Sequence, residues 1–391
     1  MNEPLSRGWR GPIAWYAYFL LGYLTFFFNI QGNIVPFLKD ELHLSYRLVS
    51  FHSGAMAAGV LLVGLVGDRA MRALGRRNAI WVGAAGLALG VVLICAATTI
   101  WVSLPGFAVI GAFGGLIPVV VVAILAEFPA RWRAVAYAES NVMAYAFAVT
   151  APLLTGAAAA LGVDWRSPLI LGVIAGAIIV LAYRTLPLPD PARPVVARRV
   201  ALPAAYWAYW LLLALGGSME YAVIVWSPEF LERVVGLSRP AAATLAVSFF
   251  AAMLVGRWIG SRLVRTIPVR TLYFVALALA FAGFLVYWGL QDAVAAVAGL
   301  FLLGLGIAQF YPLTASLAVG AGAVDADKAS ARLMTAVGLA MISTPTAMGV
   351  LADAFGLRLA HLVLPVLMAA ALGTLALARL LERRALAPTP I

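Results

Sequence analysis

Runs of about 20 apolar residues, each cut off by a short break carrying arginine, proline or glycine, recur along the whole 391-residue chain. That length is what a helix needs to cross the hydrocarbon core of a bilayer. Within lipid a segment must satisfy its own backbone hydrogen bonds, and a continuous apolar run does so as a helix. Twelve such spans fit, near 13–37, 49–67, 79–98, 101–126, 137–160, 167–184, 204–228, 241–262, 270–289, 293–320, 329–352 and 358–380. Composition agrees: 64% of the residues are hydrophobic and 11% charged, whereas soluble domains carry about a quarter charged residues. The expected class is an all-α integral membrane protein with twelve transmembrane helices.

The charge of +11 is no sign of nucleic-acid binding, because the arginines lie between spans. Lys and Arg gather on the cytoplasmic side of a membrane. Of the 27, 21 fall on the side shared by the two termini and 6 on the other. A multi-pass protein of the cell (inner) membrane with both termini cytoplasmic is therefore expected. The opening MNEPLSRGWRGP reads as a lead-in to the first span, not a removable signal. The long break is Leu186–Pro203, with five prolines and three arginines. It divides a bundle at 1–185 from one at 204–391, with 186–203 as a cytoplasmic linker.

The two parts repeat each other. Phe37-Leu38 recurs as Phe230-Leu231, Leu44-Ser45 as Leu237-Ser238, Gly67 and Arg69 as Gly260 and Arg262, and Pro152 as Pro345, each 193 residues on. Gly162 and Arg166 recur as Gly356 and Arg358. Parallel repeats of this kind occur in transporters built from two like halves. Between the second and third spans stands GLVGDRAMRALGRR, residues 64–77, which reads as a short basic hairpin with glycines at its tight points. Gly64, Asp68, Arg69, Gly75, Arg76 and Arg77 fit, in outline, the loop signature Gly-x-x-x-Asp-Arg-x-Gly-Arg-Arg, apart from a longer Ala70–Leu74 stretch. In this the chain resembles the major facilitator superfamily. The resemblance covers nearly the whole chain and implies two pseudo-symmetric six-helix bundles and secondary transport by alternating access.

An ionisable group inside a span is costly and marks function. Of the 16 acidic residues, Glu220, in LALGGSMEYAVIVWSPEF, is the clearly embedded one; Glu139 starts the fifth span and Glu229 falls at a span end. Glu220 is the candidate proton-coupling group and a candidate solute contact, with a structural carboxyl as the alternative. Its neighbours Tyr221 and Trp226 are candidate solute contacts. So are Asn29, Gln31 and Asn33 in the first span and Gln309, Tyr311 and Thr314 in the tenth. The resemblance implies that spans 1, 4, 7 and 10 line a central chamber. For each amide, an interhelical hydrogen bond is the competing reading. With Arg257 placed near the rim, the chamber holds no fixed cation, so a small neutral or cationic organic solute is expected.

The resemblance also implies a latch, in which the basic hairpin packs against neighbouring helix ends. Gly64, Asp68, Arg69, Arg76 and Arg77 would meet Glu127, Arg131 and Arg133 of AEFPARWRA; a solvated basic rim is the alternative. No enzyme is expected, for no nucleophile–base pair stands out. No cofactor or metal is expected, since His43, His52, His361 and the single Cys95 form no ligand spacing. Protons are the expected coupling ion, with sodium left open, and the absence of a phosphate loop argues against ATP. A monomer is expected. Ala151-Pro152-Leu153-Leu154-Thr155-Gly156 is only a degraded form of a drug–proton antiporter motif, so efflux by proton antiport and a non-translocating sensor stand as alternatives.

Overall fold

A computed structural model describes residues 11–126, 128, 130–188, 202–264, 266–321 and 326–386. Their regular secondary structure is helical throughout. The membrane-length segments are α1 Pro12–Glu41, α2 Tyr46–Val63, α3 Ala73–Cys95, α4 Ile100–Leu125 and α5 Glu139–Ala160, followed by the shorter α6 Ser167–Ala182. The second series is α7 Ala204–Arg233, α8 Arg239–Leu263, α9 Val269–Gly289, α10 Ala293–Ala318, α11 Thr335–Phe355 and α12 Leu357–Arg384. Large apolar side chains such as Ile178 (61% exposed) and Val366 (67%) stay uncovered along these helices. Such surface suits lipid and is costly in water.

Two expectations about helix limits need correction. The helices α1 and α7 do not stop near 37 and 228. They run on through Pro36 and Pro228 to Glu41 and Arg233. Proline removes one N–H but is tolerated in membrane helices, where neighbouring groups satisfy the freed carbonyl. The hairpin at 64–77 is also tighter than expected. Helical geometry continues from Tyr46 to Cys95 and is broken only at Gly75 (φ 73°, ψ 162°). A positive φ of this kind favours glycine. The expected linker lies mostly outside the described residues.

By contact the chain forms two compact units. One comprises Met1–His43, Ala55–Arg193 and Arg239–Val247; the other Leu44–Gly54, Pro194–Ser238 and Ser248–Ile391. Helices α2 and α8 therefore each belong to both units. They change unit after Gly54 and after Val247, which are 193 residues apart. The helix of α8 is interrupted next to that point, at Ala246.

Inside each unit the repeat reappears as packing. In the first, α3 crosses α4 at Gly90 and Gly106: a Cβ on Gly106 would lie 3.0 Å from Gly90 O. In the second, α9 crosses α10 at Gly283 and Gly299, where a Cβ on Gly299 would lie 2.3 Å from Tyr287 N and 2.9 Å from Gly283 O. Both pairs are 193 apart. Small residues at such crossings let backbones approach closely in lipid. The turns repeat too: His43 (φ 51°) matches Gly236 (φ 84°), and Gly162 (φ 67°) matches Gly356 (φ 85°). Arg166 donates from Nε to Cys95 O at 2.9 Å. Its counterpart Arg358 lies 4.8 Å from the ring of Trp288, the repeat partner of Cys95, and accepts the Trp288 indole N–H on its carbonyl at 2.8 Å.

Candidate functional site

The second unit gathers the strongest chemistry. Glycines 216 and 217 of α7 let that helix come close to two others: a Cβ on Gly216 would lie 2.9 Å from Phe310 Cβ of α10, and one on Gly217 3.0 Å from Ala340 Cβ of α11. Glu220 stands one turn further along α7. On α8, Gly256 approaches Ala308 of α10, where an added Cβ would meet Ala308 Cβ at 2.7 Å. Arg257 follows at once, and Tyr311 lies three residues beyond Ala308. The three helices thus bring Glu220, Tyr221, Arg257 and Tyr311 to one level. The Tyr221 hydroxyl lies within the electrostatic field of Glu220, Arg257 and Tyr311, and the Tyr311 hydroxyl within that of Arg257 and Glu220.

Of the expected solute contacts on this unit, Glu220, Tyr221 and Tyr311 come together, and all three are partly exposed. Trp226 does not join them. It is fully buried, and its indole N–H donates to Pro345 O of α11 at 3.1 Å. It also packs edge-on against Tyr46 at 5.8 Å. Here it fixes α7 to α11 and offers a solute no surface. Gln309 donates from Nε2 to Gly256 O at 2.5 Å. A Cβ on Gly260 would fall 1.8 Å from its Oε1. Gln309 thus seats α10 on a Gly256–Gly260 seam of α8. Thr314 is fully buried.

The first unit holds the remaining candidates. Asn29 donates from Nδ2 to Thr25 O of its own helix at 2.8 Å. Gln31 and Asn33 are buried, and Gln31 Oε1 and both amide atoms of Asn33 have no hydrogen-bond partner among the described residues. A buried amide left unbonded is costly, so such atoms point to an absent partner.

Three charged residues outside the expected solute site also lie on the helices. Arg257 lies inside the helix Val247–Leu263, five residues and about 7.5 Å deeper than Arg262. The statement that the chamber lacks a cation therefore does not hold for this unit. Glu229 is fully buried on α7, with Arg233 Nε 3.5 Å from its Oε1, because the helix continues past Pro228. Glu139 accepts the Tyr18 hydroxyl on Oε2 at 3.0 Å, so it too sits within a helix packing.

Of the expected latch, Arg76 is buried, and Arg77 donates from Nη2 to Leu186 O at 2.8 Å. Glu127 and the side chains of Gly64, Asp68, Arg69, Arg131 and Arg133 lie outside the described parts.

Residues 15–323 match the family model described as Major Facilitator Superfamily. No curated protein matches the sequence. Among solved structures, a bacterial homolog of the human lysosomal transporter Spinster, crystallised in an inward-facing, occupied conformation, aligns with TM-score 0.77 at 15% identity, covering 96% of this chain and 97% of that one. The nucleoside transporter NupG aligns at 0.73 and 12%, covering 93% and 99%. A D-xylose–proton symporter aligns at 0.74 and 16%, covering 93% and 95%. At these identities the likeness is one of fold.

Proposed function

Because the chain belongs to the Major Facilitator Superfamily, and is thus a multi-pass membrane transporter and not an enzyme, we propose that it moves a small organic solute by alternating access, driven by the proton gradient. The observation that carries this reading is Glu220, a carboxyl on a membrane-length helix beside Tyr221 and Tyr311. A carboxyl in such surroundings can take a proton on one side and release it on the other. That one similar structure is of a D-xylose–proton symporter supports the choice of coupling ion.

In this mechanism Glu220 holds the proton and Tyr221 and Tyr311 orient the solute, while Asn29, Gln31 and Asn33 are the amide candidates of the first unit. Trp226, Gln309 and Thr314 hold the helices that carry the site. The arginine-rich loops and both termini face the cytoplasm of a cell membrane. Asp68 and Arg69, with Arg76, Arg77, Glu127, Arg131 and Arg133, bias the conformational equilibrium from that side. A network of such pairs can do so although each pair is weak. The protein acts as a monomer without a cofactor.

The test is solute-dependent proton flux in proteoliposomes, screened with sugars, nucleosides, amines and organic acids. Glu220→Gln should abolish flux and leave binding of the solute measurable. A variant that still couples uptake to the pH gradient rules Glu220 out. Unchanged turnover in Asp68→Asn removes the latch.

A further inference from the structure

Asn33 holds in the first repeat the place that Trp226 holds in the second, 193 residues on. The two positions are put to different uses. In the second unit Trp226 donates its indole N–H to Pro345 O, and its ring meets that of Tyr46. The counterpart of Pro345 is Pro152 of α5, and that of Tyr46 is Arg239. Arg239 turns to Asp40 and to the ring of Phe37, 5.0 Å away. The first unit therefore has neither ring of that junction, and in place of the indole it buries an amide. Asn33 is 1% exposed, and neither Nδ2 nor Oδ1 has a hydrogen-bond partner among the described residues.

The helices around it are closely fitted in both units. Gly22 precedes Asn33 by eleven residues, which puts the two within about 20° of one face of α1, and a Cβ on Gly22 would lie 2.7 Å from Phe147 of α5. Asn33 is thus on the α5 side of its helix. One turn past Pro152, Gly156 seats α5 on α8, where an added Cβ would fall 1.8 Å from Thr244 Oγ1. Its counterpart Gly349 seats α11 on α2 in the same way, 2.5 Å from Ser50 Cβ. The framework repeats, and the side chain set in it does not. An amide kept only to join helices would be bonded, because a buried polar atom without a partner is costly. We propose that Asn33 is a specificity-determining residue, and that the solute brings to it an uncharged group with one hydrogen-bond donor and one acceptor side by side, such as a vicinal diol, an amide or the edge of a nucleobase. This rests on the reading of the chain as a solute transporter, but not on Glu220.

An asparagine amide offers N–H donors on one atom and an acceptor oxygen on the next. A carboxylate or phosphate takes the donors and leaves Oδ1 unmet, and an ammonium does the reverse. A group with a donor beside an acceptor satisfies both atoms at once, as the edge of adenine does for asparagine. A site built to bond such a group discriminates strongly against an analogue that lacks part of it. The amide is covered in this conformation, so the solute meets it in a state where the α1–α5 junction stands open. Binding there relieves the unmet amide and draws the population toward that state.

Purified full-length protein is tested by thermal shift with matched probes: uridine with its base-methylated and its dideoxy forms; nicotinamide, nicotinate and picolylamine; glucose and deoxyglucose. At least one probe with the intact pair should stabilise the protein, with an apparent affinity about tenfold or more above that of its trimmed or charged counterpart. The counterpart that fails identifies the group as base edge, amide or diol. Asn33→Leu should abolish this discrimination while unfolding at or above the wild-type midpoint. Asn33→Gln, which carries the same amide on a longer arm, should retain part of it. Discrimination that survives Asn33→Leu, a preference for nicotinate or picolylamine over nicotinamide, or no stabilising probe at all overturns the proposal. Flux in proteoliposomes separates the two readings. If a probe binds through Asn33 and none is carried across, the transport reading fails and the recognition stands. If a probe is carried equally well by wild type and Asn33→Leu, the recognition fails and transport stands.

Discussion

Asp353 clasps the first turn of α2, accepting the backbone N–H of Tyr46 on Oδ1 and that of Arg47 on Oδ2, each at 2.8 Å. The first N–H groups of a helix have no partner within it, and a carboxylate there satisfies them and complements the helix dipole. The contact ties α11 to the part of α2 that belongs to the second unit.

Asp353→Ala should therefore lower stability by about 1 kcal/mol, the usual effect of losing a helix cap. Asp353→Asn, which keeps an acceptor oxygen, should cost less. Thermal unfolding in detergent measures both. Equal midpoints for wild type and the alanine variant would show that the clasp contributes nothing.

Asn33 offers a different contrast. Its buried amide is unbonded, so replacing it with leucine removes a penalty of about 1–3 kcal/mol. Asn33→Leu should unfold at or above the wild-type midpoint and lose transport in proteoliposomes. Transport at the wild-type rate would place Asn33 outside the solute site.

Trp226→Phe should show the reverse. The variant loses the indole N–H bond to Pro345 O, a contribution of about 0.5–1.5 kcal/mol. Unfolding should shift to lower temperature while the KM for solute stays as in wild type. A raised KM at unchanged stability would return Trp226 to the binding site.

The α9–α10 crossing is tested by alanine at two glycines. Gly299→Ala forces a Cβ to within 2.3 Å of Tyr287 N and should cost about 1–3 kcal/mol or more. Gly289→Ala meets nothing within 4 Å and should be neutral to slightly stabilising. Equal thermal midpoints for the two variants would contradict the crossing described here.

Much of this protein is legible from residue order. Hydrophobic length marks each span, because a bilayer imposes one thickness on every helix. The 193-residue offset and the residues of 64–77 point to the family. Glu220 stands out because a carboxyl in an apolar run is visible as such. The helix ends differ from the expected 37 and 228: both helices continue, to Glu41 and Arg233, and Glu229 is buried on the added turn.

What sequence alone determined is the set of helices, their repeat and the presence of one embedded acid, since each depends on local hydrophobicity or on spacing along the chain. The tertiary structure decided which polar side chains hold helices together and which stay available. Trp226 meets its acceptor 119 residues away and Gln309 meets its own 53 residues away, and no local pattern marks such partners. Arg257 reads as a rim arginine until α7, α8 and α10 bring it to the level of Tyr221 and Tyr311. A charge acts through distance in space, and only packing sets that distance.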